Sequence, residues 1–149
     1  MIKKLAVWFL CLSLLYTQSI SADEKFLSLK KNKTNVRYGP GLDYPIKYVY
    51  RKVNLTVRQI DKKENWRRVL FLDNNSGWIH WSQLKPSNSI ITLEEKILFK
   101  KPSNFSEPFA RLQKGRLLVI KKCENDWCNV TTDNYNGWIT VKNIWGSTK

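Results

Sequence analysis

The chain is poor in the residues that carry chemistry. Its 149 residues include one histidine, His80, and three cysteines. A single imidazole excludes any mechanism that needs two, and no convergent pair of acids stands beside it, so the sequence holds no catalytic constellation. Acidic residues are scarce: 12 Asp and Glu face 26 Lys and Arg, for a formal net charge of +14. No apolar run reaches the roughly 18 residues that a membrane-spanning helix requires. The length holds one ordinary domain or two very small ones and excludes a large multi-domain enzyme. A disordered tail is excluded as well, because 42% of the residues are hydrophobic and 13% aromatic.

The first 22 residues read as a segment for export. Lys3 and Lys4 give a basic start, Leu5 to Tyr16 form a short apolar stretch, and Thr17, Ser19, Ser21 and Ala22 are small. That order is a secretory signal peptide with cleavage near Ser21 or Ala22, and it predicts a periplasmic or secreted protein. Cys11 lies in the apolar stretch and would be discarded with it. The remaining chain keeps a charge of +12, since residues 1–22 hold two lysines and no acid.

The rest of the chain repeats itself. Trp66-Arg-Arg-Val69, Gly77-Trp78-Ile79 and Leu84 recur as Trp127-Cys-Asn-Val130, Gly137-Trp138-Ile139 and Ile144, at offsets of 60 or 61 residues. Upstream, Lys52 to Val57 matches Lys114 to Val119. A unit of this size means two similar small domains, 26–85 and 90–146, joined by a polar linker at 86–89. Within each copy the apolar residues alternate, as in Arg68 to Leu72 and Leu117 to Lys121, and turn-forming clusters bound every run. Short runs of period two predict an all-β fold of small antiparallel barrels or sandwiches, and no helical stripe of useful length follows residue 22.

Asn35-Val-Arg37, Gly39-Pro-Gly41, Tyr44-Pro-Ile, Tyr48-Val-Tyr-Arg51, Trp66-x-x-Val69 and Gly77-Trp-Ile79 follow one another in an order that resembles bacterial SH3-like domains. The second copy is similar to the second domain of exported, two-copy proteobacterial proteins, through Cys123-x-x-x-Trp127-Cys128-x-Val130, Gly137-Trp138 and Ile144-Trp145-Gly146. The resemblance implies two tandem small SH3-like barrels and an accessory binding role in the cell envelope, with peptidoglycan or its stem peptides as the ligand class. An envelope protein or peptide is the alternative partner. Copy two departs from the pattern at Phe99-Lys-Lys-Pro102, which puts a ligand role for that loop in doubt.

Cys123 and Cys128 are an even pair in an exported chain and flank a short turn, the pattern of one structural disulfide. A redox pair or a metal site are the rival readings, but the spacing is wider than redox pairs use and zinc would find only His80 to complete it. No cofactor or metal is expected. Trp78 and Trp138 are expected in the cores, while Trp66 and Trp127 could serve a core or a groove. Trp81 has no counterpart in copy two and stands beside His80, itself expected to be exposed, so Trp81 is a candidate for surface contact. Tyr38, Tyr44, Tyr48 and Tyr50 cluster around Arg37 and Arg51 near the Gly39-Pro-Gly41 turn, a residue mix that suits recognition but also occurs in plain structural loops. The expected groove therefore comprises Arg37, Tyr38, Tyr44, Tyr48, Trp66 and Trp81. The spread lysines and arginines serve solubility or attract an anionic matrix, and export argues against nucleic acid.

Overall fold

The computed structural model describes residues 24–149, so the expected signal peptide at 1–22 lies outside the described residues. Two seven-stranded antiparallel sheets form in succession. The first contains β1 (Phe26–Leu29), β2 (Thr34–Arg37), β3 (Ile46–Tyr50), β4 (Thr56–Lys63), β5 (Trp66–Leu70), β6 (Ser76–His80) and β7 (Leu84–Pro86). The second contains β8 (Ser89–Thr92), β9 (Lys96–Phe99), β10 (Pro108–Leu112), β11 (Leu117–Glu124), β12 (Trp127–Thr132), β13 (Tyr135–Thr140) and β14 (Ile144–Trp145). Spatial order is β3-β2-β6-β5-β4-β1-β7 in the first and β10-β9-β13-β12-β11-β8-β14 in the second, so one topology occurs twice. A single 3₁₀ turn, Trp81–Gln83, interrupts the first copy.

Each copy is built around a long hairpin, β4–β5 or β11–β12. Both close through two residues, Glu64–Asn65 and Asn125–Asp126, of which Glu64 (φ 48°) and Asn125 (φ 51°) take the left-handed conformation. Both hairpins carry a bulge at the same place, between Gln59 and Asp61 and between Ile120 and Lys122. A bulge adds an unpaired residue and bends the strand, which lets the hairpin wrap over its core.

The cores are aliphatic. Leu29, Val36, Val57, Val69, Phe71, Ile79 and Leu84 form the first, and Ile90, Leu98, Leu112, Leu118, Cys128, Val130 and Ile139 the second. Each such side chain, removed from water, contributes about 1.5–3 kcal/mol. No tryptophan belongs to either aliphatic cluster; Trp138 is buried as expected, but Trp78 is only half-buried, which corrects the expectation for Trp78. The cause is Gly77. It takes the inward position, where an added Cβ would lie 2.4 Å from Val36 Cγ1, so the next residue, Trp78, must point outward and stays half-buried. Gly137 does the same against Leu98 and Phe109. Trp138 is nevertheless 8% exposed, on the outer face with the Lys122 ammonium 5.1 Å from its ring. Trp66, also 8% exposed, is the more buried indole of the first copy.

The two copies pack together. Lys85 and Pro86 belong to β7 and Ser89 opens β8, so the segment expected as a free linker at 86–89 is drawn into the sheets at both ends. Ser89 is fully buried and donates its hydroxyl proton to the Asn54 carbonyl at 2.6 Å. Its oxygen then accepts from Ser28 (2.7 Å) and Thr56 (2.9 Å), which are fully buried as well. In strand β4, Val57 enters the first core, while the neighbouring Thr56 on the other face meets Ser89 of the second copy and not water.

The disulfide forms. Cys123 and Cys128 are directly paired across β11 and β12 with their Cα atoms 4.1 Å apart, and Cys128 is wholly buried in the second core.

Candidate functional site

Strand β2 places Asn35 and Arg37 on the face opposite Val36, because successive side chains alternate. The β4–β5 loop brings Glu64 and Asn65 to the same side, and β5 and β6 add Trp66 and His80. Together with Leu42 and Gln83 these residues line a cleft of about 380 Å³. Gln83 is fixed there, since its Oε1 accepts from the Asn35 backbone N–H at 3.3 Å.

Arg37 shapes the mouth of the cleft. Its Nη1 donates to the Tyr44 carbonyl at 2.7 Å and the Leu42 carbonyl at 3.3 Å, which pins the loop that leaves β2. The loop closes tightly because the Tyr44 ring lies over Gly39, where a Cβ would come within 2.3 Å of it. Arg37 makes no salt bridge among the described residues, so its charge is available to a ligand. The Trp66 indole meets the His80 ring edge-on, with centroids 5.3 Å apart. His80 is half-buried rather than openly exposed, and its Nδ1 contacts the Ser82 hydroxyl at 2.8 Å and caps the 3₁₀ turn. The cleft thus brings together the Arg37 guanidinium, Glu64, the amide residues Asn35, Asn65 and Gln83, and the Trp66–His80 ring pair. Groups of these kinds are able to engage a peptide-like chain by charge and hydrogen bonds.

The six residues expected in one groove are separated. Arg37 and Trp66 share the cleft. Tyr38 and Tyr48 lie around Lys47, whose ammonium is 5.5 Å and 5.2 Å from their ring centroids. The Tyr48 hydroxyl donates to Asn75 Oδ1 at 3.1 Å, and its ring packs on the first core, so its role is structural. Tyr44 belongs to the loop. Trp81, 53% exposed, borders a different depression with Arg67 and Leu84. Sequence reasoning missed Asn35, Glu64, Asn65 and Gln83. Alternation along β2 pairs Asn35 with Arg37 and could have found the first; the others come from turns with no periodic signal.

Tyr50 stacks on Phe71 with centroids 4.0 Å apart, and its hydroxyl is pushed up to about 12, first by burial and then by Asp73 and Tyr48. It supports the wall of the core and does not face the cleft.

Domain 2 closes the equivalent cleft. Arg37 pairs with Trp78, the indole after Gly77; Phe99 pairs with Trp138, the indole after Gly137. Phe99 therefore occupies the register of Arg37, and its ring packs edge-on against Trp127 with centroids 5.5 Å apart. A wider depression of about 620 Å³ lies along Phe109 to Arg116. Both its arginines already have acids, Arg111 on Glu95 and Arg116 on Asp133.

Charge follows the same asymmetry. Residues 24–86 hold 14 Lys and Arg and five acids, and among the described residues only Arg58 is ion-paired there, to Glu24. Residues 87–149 hold ten and six, with five pairs. Uncompensated positive charge is concentrated on the domain with the open cleft.

Among solved structures, the chain is similar to NlpC2 from Trichomonas vaginalis at 13% identity and a TM-score of 0.38, over 83% of this chain and 48% of that one. It is similar to NlpC1 from the same organism at 13% identity and a TM-score of 0.38, over 81% of this chain and 45% of that one. The chain spans about half the length of these two proteins. No curated protein matches it. The family model for the bacterial SH3 domain matches residues 30–86 and 94–146, one match on each sheet, and the chain belongs to the bacterial SH3 domain family in two copies.

Proposed function

We propose that the chain is a non-catalytic, exported binding module of the cell envelope, and that its first domain recognises the stem peptides of peptidoglycan in the Arg37–Trp66 cleft. One observation carries this reading: the register that domain 2 fills with Phe99 is held in domain 1 by a guanidinium beside an indole. Stem peptides carry free carboxylates for Arg37 and amides for Asn35, Gln83 and Glu64. The excess cations of domain 1 would draw an anionic polymer to the surface in a salt-dependent way, and the cleft would supply the local fit. Domain 2 serves as a rigid partner. A binding role needs no nucleophile, and Ser82 and His80 are engaged in capping a turn.

A second reading, an envelope adaptor that binds a partner protein, is favoured by the exposed loop tips Leu42 (75%) and Phe105 (101%), which lie on the corresponding loops of the two domains. Titration of ¹⁵N-labelled protein with a purified muropeptide separates the two. The proposed function predicts shifts at Arg37, the Trp66 indole and His80. No shift in that cleft at millimolar muropeptide would overturn it.

A further inference from the structure

The register across the long hairpin holds a contrast between the copies. In domain 2, Cys123 faces Cys128; in domain 1, Lys62 faces Arg67 at the same place, each pair one step before the residues that flank the turn. Like charges directly opposed on a sheet are destabilising. Arg67 finds no carboxylate among the described residues. Its Nη1 donates to two backbone carbonyls, Glu64 at 2.8 Å and Trp66 at 2.9 Å.

The exchange changes the end of the barrel. In domain 2 the disulfide spans this position, and Ile120, Cys123, Val141 and Ile144 pack against the second core. The corresponding residues of domain 1 are Gln59, Trp81 and Leu84, and here a depression of about 320 Å³ is open. Its apolar walls are ringed by three cations, Lys25, Arg67 and Lys85, and no acid lines it. Gln59 Oε1 is buried there with no hydrogen-bond partner. The volume is within the range of small-ligand sites, and the charge is of one sign.

We infer that this open barrel end is a second binding site of domain 1, separate from the Arg37–Trp66 cleft, and that it takes an acidic peptide. One apolar side chain enters between Trp81 and Leu84, and flanking carboxylates pair with Arg67, Lys25 and Lys85. The ligand's charge relieves the Lys62–Arg67 repulsion, so binding and local stability rise together.

The test uses the acetylated, amidated hexapeptide Glu-Glu-Leu-Phe-Glu-Glu as probe. Its titration should shift the Trp81 indole N–H and should weaken with salt. In K62C/R67C the register permits a cross-strand disulfide like that of domain 2; once oxidised, it should reduce affinity about tenfold or more while the remaining indole resonances keep their positions. K85E, a half-exposed change that leaves the hairpin intact, should weaken binding about fivefold. Shifts at the Trp66 indole without shifts at Trp81 would assign the peptide to the cleft and overturn the inference. So would undiminished binding by oxidised K62C/R67C or by K85E, binding of anionic vesicles but not of the peptide, or no binding at all. The muropeptide titration reads the other site, so each proposal can fail alone.

Discussion

The Trp145 indole Nε1 donates to the Thr56 carbonyl oxygen at 3.2 Å, across the boundary between the two barrels. The same ring meets Phe26 edge-on at 5.3 Å and lies 5.4 Å from the Arg58 guanidinium. With the buried Ser28–Ser89–Thr56 cluster it fastens the last strand of domain 2 to the first sheet. The tandem is therefore one unit, held by a polar cluster whose members satisfy one another.

This coupling predicts that W145A destabilises both barrels. Removing a half-buried indole costs about 2 kcal/mol. Calorimetry should show a single unfolding transition in the parent chain and two separated transitions in W145A. W145F keeps the contact with Phe26, loses the hydrogen bond, and should fall between them.

The disulfide closes a short loop, so its removal costs about 2 kcal/mol by chain entropy. The loss should be confined to domain 2. In C123S/C128S, hydrogen exchange should quicken in β11 and β12 and stay unchanged in β4 and β5.

Gly77 has no room for a side chain, with Val36 Cγ1 at 2.4 Å and the Arg37 carbonyl at 3.0 Å from an added Cβ. G77A is expected to lose about 1–3 kcal/mol by overpacking, measured by urea unfolding. It should also weaken muropeptide binding, since β2 must shift and carries Arg37 with it. V36A should restore part of the stability of G77A.

Two groups give the stability a pH signature. Tyr50 is raised in the folded state, so its contribution is fully present below its ordinary value near 10 and is lost as pH climbs through about 12. Y50F should lack that loss in alkaline unfolding curves. Glu94 is held below the usual carboxylate range by its hydrogen bond from Lys96, at 2.7 Å, and then by Asn143. Its contribution is present above the ordinary glutamate range and disappears as pH falls through the lowered value. Lys96 itself is 4% exposed, so E94Q should destabilise domain 2 at neutral pH and match the parent chain in acid.

Much of the architecture was legible because it rests on local rules. Period-two alternation set Val69 and Phe71, both buried, on one face and Arg68, Leu70 and Leu72 on the other, the recurring Trp and Gly positions revealed the duplication, and the cysteine pair predicted its own bond. The upstream match of Lys52–Val57 to Lys114–Val119 was one residue out of register. The structure equates Val57 with Leu118, both fully buried, and Asn54 (φ 63°) with Gly115 (φ 82°), two left-handed turn residues of different type. Trp78 departs from its expected burial because Gly77 takes the inward position of the strand, so its neighbour faces out. The cleft was only partly visible: Asn35 follows from its alternation with Arg37, but Glu64, Asn65 and Gln83 join them through tertiary folding, and no spacing in the chain announces that.

The central claim is that domain 1 holds the cell-wall polymer through the Arg37 cleft and does not cut it. Co-sedimentation of residues 24–149 with purified, protein-free sacculi, from about 50 to about 500 mM salt, tests it most directly. The protein should pellet at low salt and be released progressively as salt rises, R37E should remain in the supernatant throughout, and no soluble murein fragments should appear. Failure of the parent chain to pellet at low salt, retention of R37E equal to the parent, or release of fragments would contradict the account.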